Sequence, residues 1–450
     1  MSEKNEDMFV KRAVTPDVNE EKGEKAPTRR IVAERSSGGR AKTSDRTEKN
    51  LPQTKAASSS VAVEKTEAEK WKFFSLPKSL KAGSVDMVFL VLLVMLLAIG
   101  AVMSFSASYA YAAKKYGDSY YYVEKQLIFM FLGAVGIVMV TLFPLKTYKI
   151  VTWAVFGTSI VLLLLVLVMG AERGGARRWL EIPGLGLFQP SELAKSALVM
   201  ILALYMSRFG DEVQTPGFKK SFLYGIVYPG LIIALIGGLV VLEKHFSGLI
   251  ILCCIGLAVM VLGGSKFSFI IPMGLAAAGL IAVLILFTGY SSSRIDIWLD
   301  PWAYPQDGGW QTIQGLYAIA SGGIWGQGLG NSNQKYGYVS EPQNDFIFTI
   351  VCEELGFIGA MAVMVLFFLL IWRGFTIARR SPNRFTYLIV IGLMVKIALQ
   401  VGFNIAVVTN TIPNTGISLP FFSSGGTSLI VQMAEMGIVL SVSRYSYIKK

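Results

Sequence analysis

Asp345 stands where a polar segment meets an apolar one. The order Glu341-Pro342-Gln343-Asn344-Asp345 runs into Phe346-Ile347-Phe348 and closes a long polar connection, Tyr290 to Asn344. Most other connections in the chain are short, and a connection of this length commonly holds a site. A carboxylate at such a boundary can cap the helix that begins there by accepting a hydrogen bond from a first-turn amide. It can also serve as a base in chemistry on a membrane-borne substrate. Glu353 and Glu354 follow two turns on, with Glu353 at i+8 from Asp345 and on nearly the same stripe. A glutamate at that depth costs about 2–3 kcal/mol unless paired or wetted. Both are therefore expected to hold helices together and not to contact substrate.

Three further groups bear charge where apolar residues surround them. The segment GGARRWLEIPGLGLFQPSELAKSAL carries Arg177, Arg178 and Trp179, with Arg173 just before it. Arginine offers a fork of donors that matches phosphate or pyrophosphate, and the same arginines could bind lipid phosphates. Trp179 can stack on a sugar face or anchor the segment at an interface. Glu192 and Lys195, i,i+3 partners at the start of a span, read either as a structural ion pair or as part of a polar cavity wall. Lys396, Gln400 and Asn404 recur at i, i+4 and i+8 and make one polar stripe on an apolar helix. Glu435 is the expected partner of Lys396, and this stripe is read as structural. The run from Ile412 to Gly416 and on from Leu419 to Ser428 is rich in Pro and Gly, which suits backbone lining a cavity.

These residues are carried by membrane spans. Of 450 residues, 53% are hydrophobic and 16% charged, and mean hydropathy is +0.52. These values describe a polytopic membrane protein. The net charge of +12 is concentrated in residues 1–82 and a few short loops, which fits a membrane surface. No nucleic-acid-binding motif stands out. Cys253, Cys254 and Cys352 lie in apolar segments, against a disulfide framework or metal knuckle. The single histidine, His245, argues against a histidine-based metal site or triad. The N-terminus is polar, with no cleavable signal visible.

Residues 1–82 have too few apolar side chains to bury a core and are expected to be a disordered basic tail. Trp71, Phe73 and Phe74 beside Lys72 and Lys78 suggest an interfacial anchor. Residues 83–450 form an all-α helix bundle with about ten transmembrane helices. The spans fall near 86–107, 126–143, 150–170, 193–208, 222–242, 247–264, 268–289, 346–372, 385–408 and 427–443. The large loop between spans 7 and 8 is extracytoplasmic on the following count. Lys146, Lys149, Arg208, Lys219, Lys220, Lys266, Arg373, Arg379, Arg380, Arg384, Arg444, Lys449 and Lys450 share a face with the basic tail. The positive-inside rule makes that face cytoplasmic, both termini included. Loops 108–125, 171–192, 290–345 and 409–426 then lie outside, and the arginines of the second run against the rule.

Assembled in order, these motifs resemble the SEDS family, the FtsW/RodA/SpoVE group, from about residue 84 to 445. The resemblance is carried by SFSAS (Ser104–Ser108) ending the first span, and by ARRW and QPSELAK. It continues through DPW, GGWQTIQGLYAIASGGIWGQGLGNS, SEPQNDFIF, EELG, IPNTG and LPFFSSGGTS. The GLGNS-x-x-K wording is closer to the division-type, FtsW-like branch. What the resemblance implies is a peptidoglycan glycosyltransferase of the bacterial cell membrane that polymerises lipid II, with Asp345 as the catalytic aspartate. It also implies Trp179 as the functional tryptophan and Glu192–Lys195 as the family's Glu–Lys pair. Partners implied are a class B penicillin-binding protein (a transpeptidase) and other divisome or elongasome membrane proteins, with no nucleic acid. Glu243-Lys244-His245-Phe246-Ser247-Gly248 departs from a Pro-Asp pair common in the family, so His245 stands where a carboxylate is usual. Ser424 replaces a common tyrosine, and Asn414 and Thr415 stand where relatives carry Thr or Lys.

The expected chemistry follows. A pyrophosphate leaves without protonation but needs positive charge, from Arg177, Arg178 or a divalent cation (Mg or Mn) at the pyrophosphate. No dedicated protein metal site is expected. The acceptor hydroxyl needs a base, and Asp345 can take its proton. A lipid II flippase would explain the buried charges as a headgroup path, and a membrane scaffold for a division transpeptidase would need neither carboxylate nor arginines.

Overall fold

The computed structural model describes residues 82–173, 176–182, 186–287, 292–306 and 308–445. The expected tail, its aromatic anchor included, lies outside the described residues apart from residue 82. Each expected span is a helix. They are α1 (Met87–Tyr116), α2 (Tyr121–Leu142), α3 (Thr147–Met169) and α4 (Pro190–Arg208). After two short helices, α5 (Gly210–Gln214) and α6 (Phe218–Phe222), the chain passes through one π turn, Leu223–Val227, into α7 (Tyr228–Leu242). Then come α8 (Phe246–Leu262), α9 (Phe267–Phe287), α10 (Ser292–Leu299), α11 (Gly309–Gly322), α12 (Ile347–Arg379), α13 (Arg384–Val408) and α14 (Thr427–Ser443). Among the described residues, seven helices are long and apolar enough to cross a membrane, and α8 and α14 are shorter apolar helices. The protein is a multi-pass membrane bundle. Nearly every residue of α4 and most of α13 is buried, so these two form its centre, with α8, α3 and α14 packed around them.

Four features differ from the sequence reading. First, α1 does not end at residue 107. Nothing in Ser108–Tyr116 breaks a helix, and it runs to Gly117, whose N–H donates to the Ala113 carbonyl at 3.0 Å. SFSAS therefore lies inside the helix. Second, the segment after α3 is an antiparallel sheet, β1 (Ala171–Arg173), β2 (Ala176–Ile182) and β3 (Gly186–Phe188), in the order β1-β2-β3. Leu180 pairs with Phe188 and is buried, while Arg177 and Glu181 on either side of it stay exposed. The bundle is therefore helical but not purely so. Third, the long connection after α9 contains α10 and α11. On its buried face Gly315 and Gly322 let the α11 backbone lie against Phe346, Thr349 and the Cys352 carbonyl of α12 and its start.

Fourth, α12 is broken at Gly356, where φ is 66° and ψ −171°, a conformation that excludes side chains. A break inside a membrane must have its freed backbone groups satisfied. The glycine-rich run after α11 does this. Gln327 and Gly328 N–H donate to Glu353 and Glu354 carbonyls at 2.9 and 3.0 Å, and Phe357 and Ile358 N–H donate to Gly323 and Ile324 carbonyls at 2.9 and 3.2 Å. The GGIWGQG wording is thus a backbone plug for the break in α12.

Candidate active site

The loop before α12 holds Asp345 from behind. Its backbone carbonyl accepts from the Asn404 amide at 2.7 Å, and the same amide nitrogen donates to the Ile417 carbonyl at 2.7 Å. The Asn344 carbonyl accepts from Ser423 Oγ at 2.9 Å, and the Gln343 carbonyl from the Ser424 N–H at 2.8 Å. The proline-glycine loop between α13 and α14 therefore braces the segment carrying the carboxylate. The Asp345 side chain does not cap the helix. Phe346 is the N-cap residue, without a side-chain bond, and its carbonyl accepts from the Thr349 N–H and hydroxyl at 3.0 and 2.7 Å. The capping reading is overturned, and the carboxylate, half-buried, is left for another use.

A cavity of about 280 Å³, which Asp345 does not itself line but adjoins through the Thr415–Ile417 segment, is lined by Arg178, Lys244 and Arg294, with Phe246, Ile250, Phe403, Ile412 and Ile417 as apolar wall. Arg178 comes from β2, Lys244 from the turn between α7 and α8, and Arg294 from α10. The loop after α13 joins them. The Asn414 carbonyl accepts from Arg294 Nη1 at 3.0 Å, and the Thr415 carbonyl accepts from the Ser247 hydroxyl. Trp298 and Asn410 exchange bonds of 3.0 and 3.2 Å that fix α10 to this loop. Gly416, next to Thr415, has φ 66°, and a Cβ on it would lie 3.1 Å from Asp345 Oδ2.

Burial pushes the Asp345 carboxyl up to about 6. The Arg178 charge opposes this, Glu341 and Glu192 add to it, and Arg294 opposes it again. A carboxyl at that level is ionised at neutral pH yet holds a proton better than a free aspartate, the property of a working base. Glu243 is buried, both its carboxylate oxygens lack a hydrogen-bond partner, and burial raises it to about 8 against the pull of Arg178. His245 is held to about 3 by burial, then by the charges of Arg178 and Lys195. The ring is neutral, with Nδ1 3.2 Å from the Ser191 hydroxyl.

The other residues singled out in the sequence are distributed as follows. Arg177 points away to Glu172 at 3.5 Å and is exposed, and the side chain of Arg173 lies outside the described residues. Trp179 is half-buried on β2 and does not line the cavity. Glu192 and Lys195 pair at 2.7 Å, nearly sealed inside the bundle, and also lie off the cavity wall. Gln400 Nε2 reaches Glu192 at 3.5 Å. Lys396 pairs with Glu435, and Ser196 bonds to both. The stripe on α13 is thus continuous, from Lys396 through Gln400 to Asn404 behind Asp345. Glu353 accepts from Ser332 Oγ at 2.5 Å and the Asn333 N–H at 3.0 Å, and Glu354 pairs with Lys335 at 2.9 Å and with Ser106 at 2.7 Å. Because Asp345 precedes the helix, it does not share a stripe with Glu353. The two glutamates instead hold the plug loop on α12.

Lys244, Arg294 and Lys335 were not singled out from the sequence. The GNS-x-x-K spacing is the signal that could have found Lys335, and Lys244 sits in the departing EKHFSG stretch. Among the described residues no three His, Cys, Asp or Glu side chains gather. They do not fit a protein-built cage for Mg or Mn, and the cavity's charge comes from arginine and lysine.

A bundle of apolar helices, one of them broken, with a carboxylate near a cationic cavity defines a multi-pass membrane protein. The chain belongs to the FtsW/RodA/SpoVE family, described as "Cell cycle protein", whose model matches residues 86–448. It is 36% identical over 374 residues to stage V sporulation protein E of Bacillus subtilis, covering 81% of this chain and 99% of that protein. It is also 36% identical over 363 residues to a probable peptidoglycan glycosyltransferase FtsW of Geobacter, covering 80% and 96%. Among solved structures, a chain from a peptidoglycan synthase complex that coordinates polymerization and crosslinking matches with a TM-score of 0.66 and 26% identity, covering 80% of this chain and 98% of that one. The rod shape determining protein RodA of Thermus thermophilus matches with a TM-score of 0.59 and 25% identity, covering 81% and 98%.

Proposed function

We propose that this protein is a peptidoglycan glycosyltransferase that polymerises lipid II, with Asp345 as general base. The observation that carries the reading is the placement of a half-buried, uncapped carboxylate beside a cavity lined by three cationic side chains. The diphosphate of the donor lies against Arg178, Lys244 and Arg294, with the prenyl chain along the apolar wall. The acceptor hydroxyl oxygen attacks the donor's anomeric carbon while the carbon–oxygen bond to the diphosphate breaks. The hydroxyl proton passes to Asp345, and the electron pair leaves with the diphosphate. A single displacement of this kind inverts the anomeric centre. The cations stabilise the charge that grows on the leaving group, which needs no proton. General-base assistance supplies about 10²–10⁴ in rate. A divalent cation that takes part arrives with the diphosphate.

The face carrying Lys146, Lys149, Arg208, Lys219, Lys220, Lys266, Arg373, Arg379, Arg380 and Arg384 lies opposite the Asp345 end, so we place it, and both termini, in the cytoplasm of a bacterial cell. Asp345 then faces the side where glycan is built. A transpeptidase, a class B penicillin-binding protein, is the partner this reading calls for, with further division or elongation membrane proteins. Glu192, Lys195, Lys396 and Glu435 support the site from within the bundle. The test is direct. Full-length protein in proteoliposomes, given labelled lipid II with and without that partner, should yield glycan strands. Lipid II that crosses the bilayer but never polymerises in either case would contradict the proposal and favour a transporter.

A further inference from the structure

Asn404, on the central helix α13, lies directly behind Asp345. We propose that Asn404 sets the place of Asp345 by tying two loops together at one side-chain nitrogen, an inference that rests on Asp345 acting as the base. The two bonds, to the Asp345 and Ile417 carbonyls, are both 2.7 Å. They use both hydrogens of the amide, the most such a group can donate. The two loops share no helix. One opens α12 and the other lies between α13 and α14. Their joining places Gly416 against Asp345 Oδ2, at 3.1 Å from where its Cβ would stand, and sets Thr415 and Ile417 on either side of it in the cavity wall.

The orientation of this amide is fixed chemically. With nitrogen and oxygen exchanged, an acceptor would face two carbonyls. Asn404 Oδ1 is itself buried without a partner, so the amide is held by its donor side alone. It is fully buried on α13, the most enclosed of the long spans, and a rigid element is where a positioning group belongs. One turn deeper on the same stripe Gln400 reaches Glu192, and two turns deeper Lys396 pairs with Glu435, contacts that fix the helix that carries it.

The experiment compares Asn404→Ala and Asn404→Leu, neither of which adds charge, with the wild-type chain, all full-length in proteoliposomes and supplied with lipid II. The charged groups that act on Asp345 are Arg178 from β2, Glu341 from its own loop, Glu192 from α4 and Arg294 from α10, and all are kept. Loss of the donor frees the loop, so turnover should fall at least 30-fold with KM within threefold. The acid limb of the pH–rate profile should also move down by half a pH unit or more as Asp345 gains water. A merely structural residue would lower the yield of folded protein without moving that limb. Where Asn404→Leu does not fold, Asn404→Ser removes the amide without adding bulk or charge and is read the same way. Turnover within threefold of wild type, or a fall with the limb unmoved, overturns the proposal. If Asp345→Asn also polymerises, the reading of the base fails first. If Asp345→Asn is inactive while the Asn404 variants work, only this inference fails.

Discussion

Gly416 and Asp345 are in close approach. A Cβ on Gly416 would lie 3.1 Å from Asp345 Oδ2, and Gly416 has φ 66°, where a side chain is strained. Gly416→Ala is therefore expected to destabilise the fold by about 1 kcal/mol. It should also lower polymerisation at least tenfold by crowding the carboxylate. Thermal unfolding and strand synthesis on the same detergent-purified protein check both effects.

The acidity of Asp345 gives a pH dependence with a definite sign. Its carboxyl is raised by burial to about 6, and only the ionised form accepts a proton. Activity should fall about tenfold per pH unit below about pH 6, and the limb should be absent from steps that do not involve the base. For stability the sign is opposite. A carboxyl raised in the folded state contributes stability below its ordinary value near 4, which is lost as pH rises through about 6. The Asp345→Asn protein should therefore be more stable than wild type at pH 8, by on the order of 1–3 kcal/mol, and equal to it near pH 4. Melting temperatures across that range would show the difference.

The cavity arginines should separate from their exposed neighbour. Arg178 lines the cavity, while Arg177 pairs outward with Glu172. Arg178→Gln removes charge from the departing diphosphate and should cost about 10²–10³ in kcat. Arg177→Gln should stay within about threefold, by the small worth of exposed pairs. Steady-state kinetics of the two variants, measured side by side, decide it.

Lys335 and Glu354 form a buried pair at 2.9 Å that keeps the plug loop on the break in α12. Lys335→Met leaves the carboxylate buried and unpaired and should destabilise the protein by about 3–5 kcal/mol. Adding Glu354→Gln should recover much of that loss. A double-mutant cycle in melting temperature measures the coupling, and additive effects would contradict the pairing.

How much of this was legible follows from the range of each interaction. The spans were legible because a run of about 20 apolar residues has one outcome in a bilayer, and every expected span is a helix. Asp345 was legible as a carboxylate at a boundary, but its freedom from capping was not, because Phe346 takes that place through backbone geometry. The break at Gly356 was not legible either. A single glycine in an apolar run reads as a tolerated helix residue, and the break exists only because Gly323–Gly328 supplies partners from elsewhere in the chain. Arg294 and Lys244 meet Arg178 from three separate elements, a convergence that no local pattern encodes. Asn404 was visible as part of a polar stripe, yet which carbonyls it holds depends on two loops folding back onto α13.

If Asp345 is the base, a single carboxylate takes the acceptor's proton. Purified Asp345→Asn protein, folded and given labelled lipid II together with the transpeptidase partner, tests this. At least a hundredfold loss of glycan strands is expected at pH 7.5, with lipid II still bound at near wild-type affinity. Strand synthesis within tenfold of wild type from that variant would contradict it.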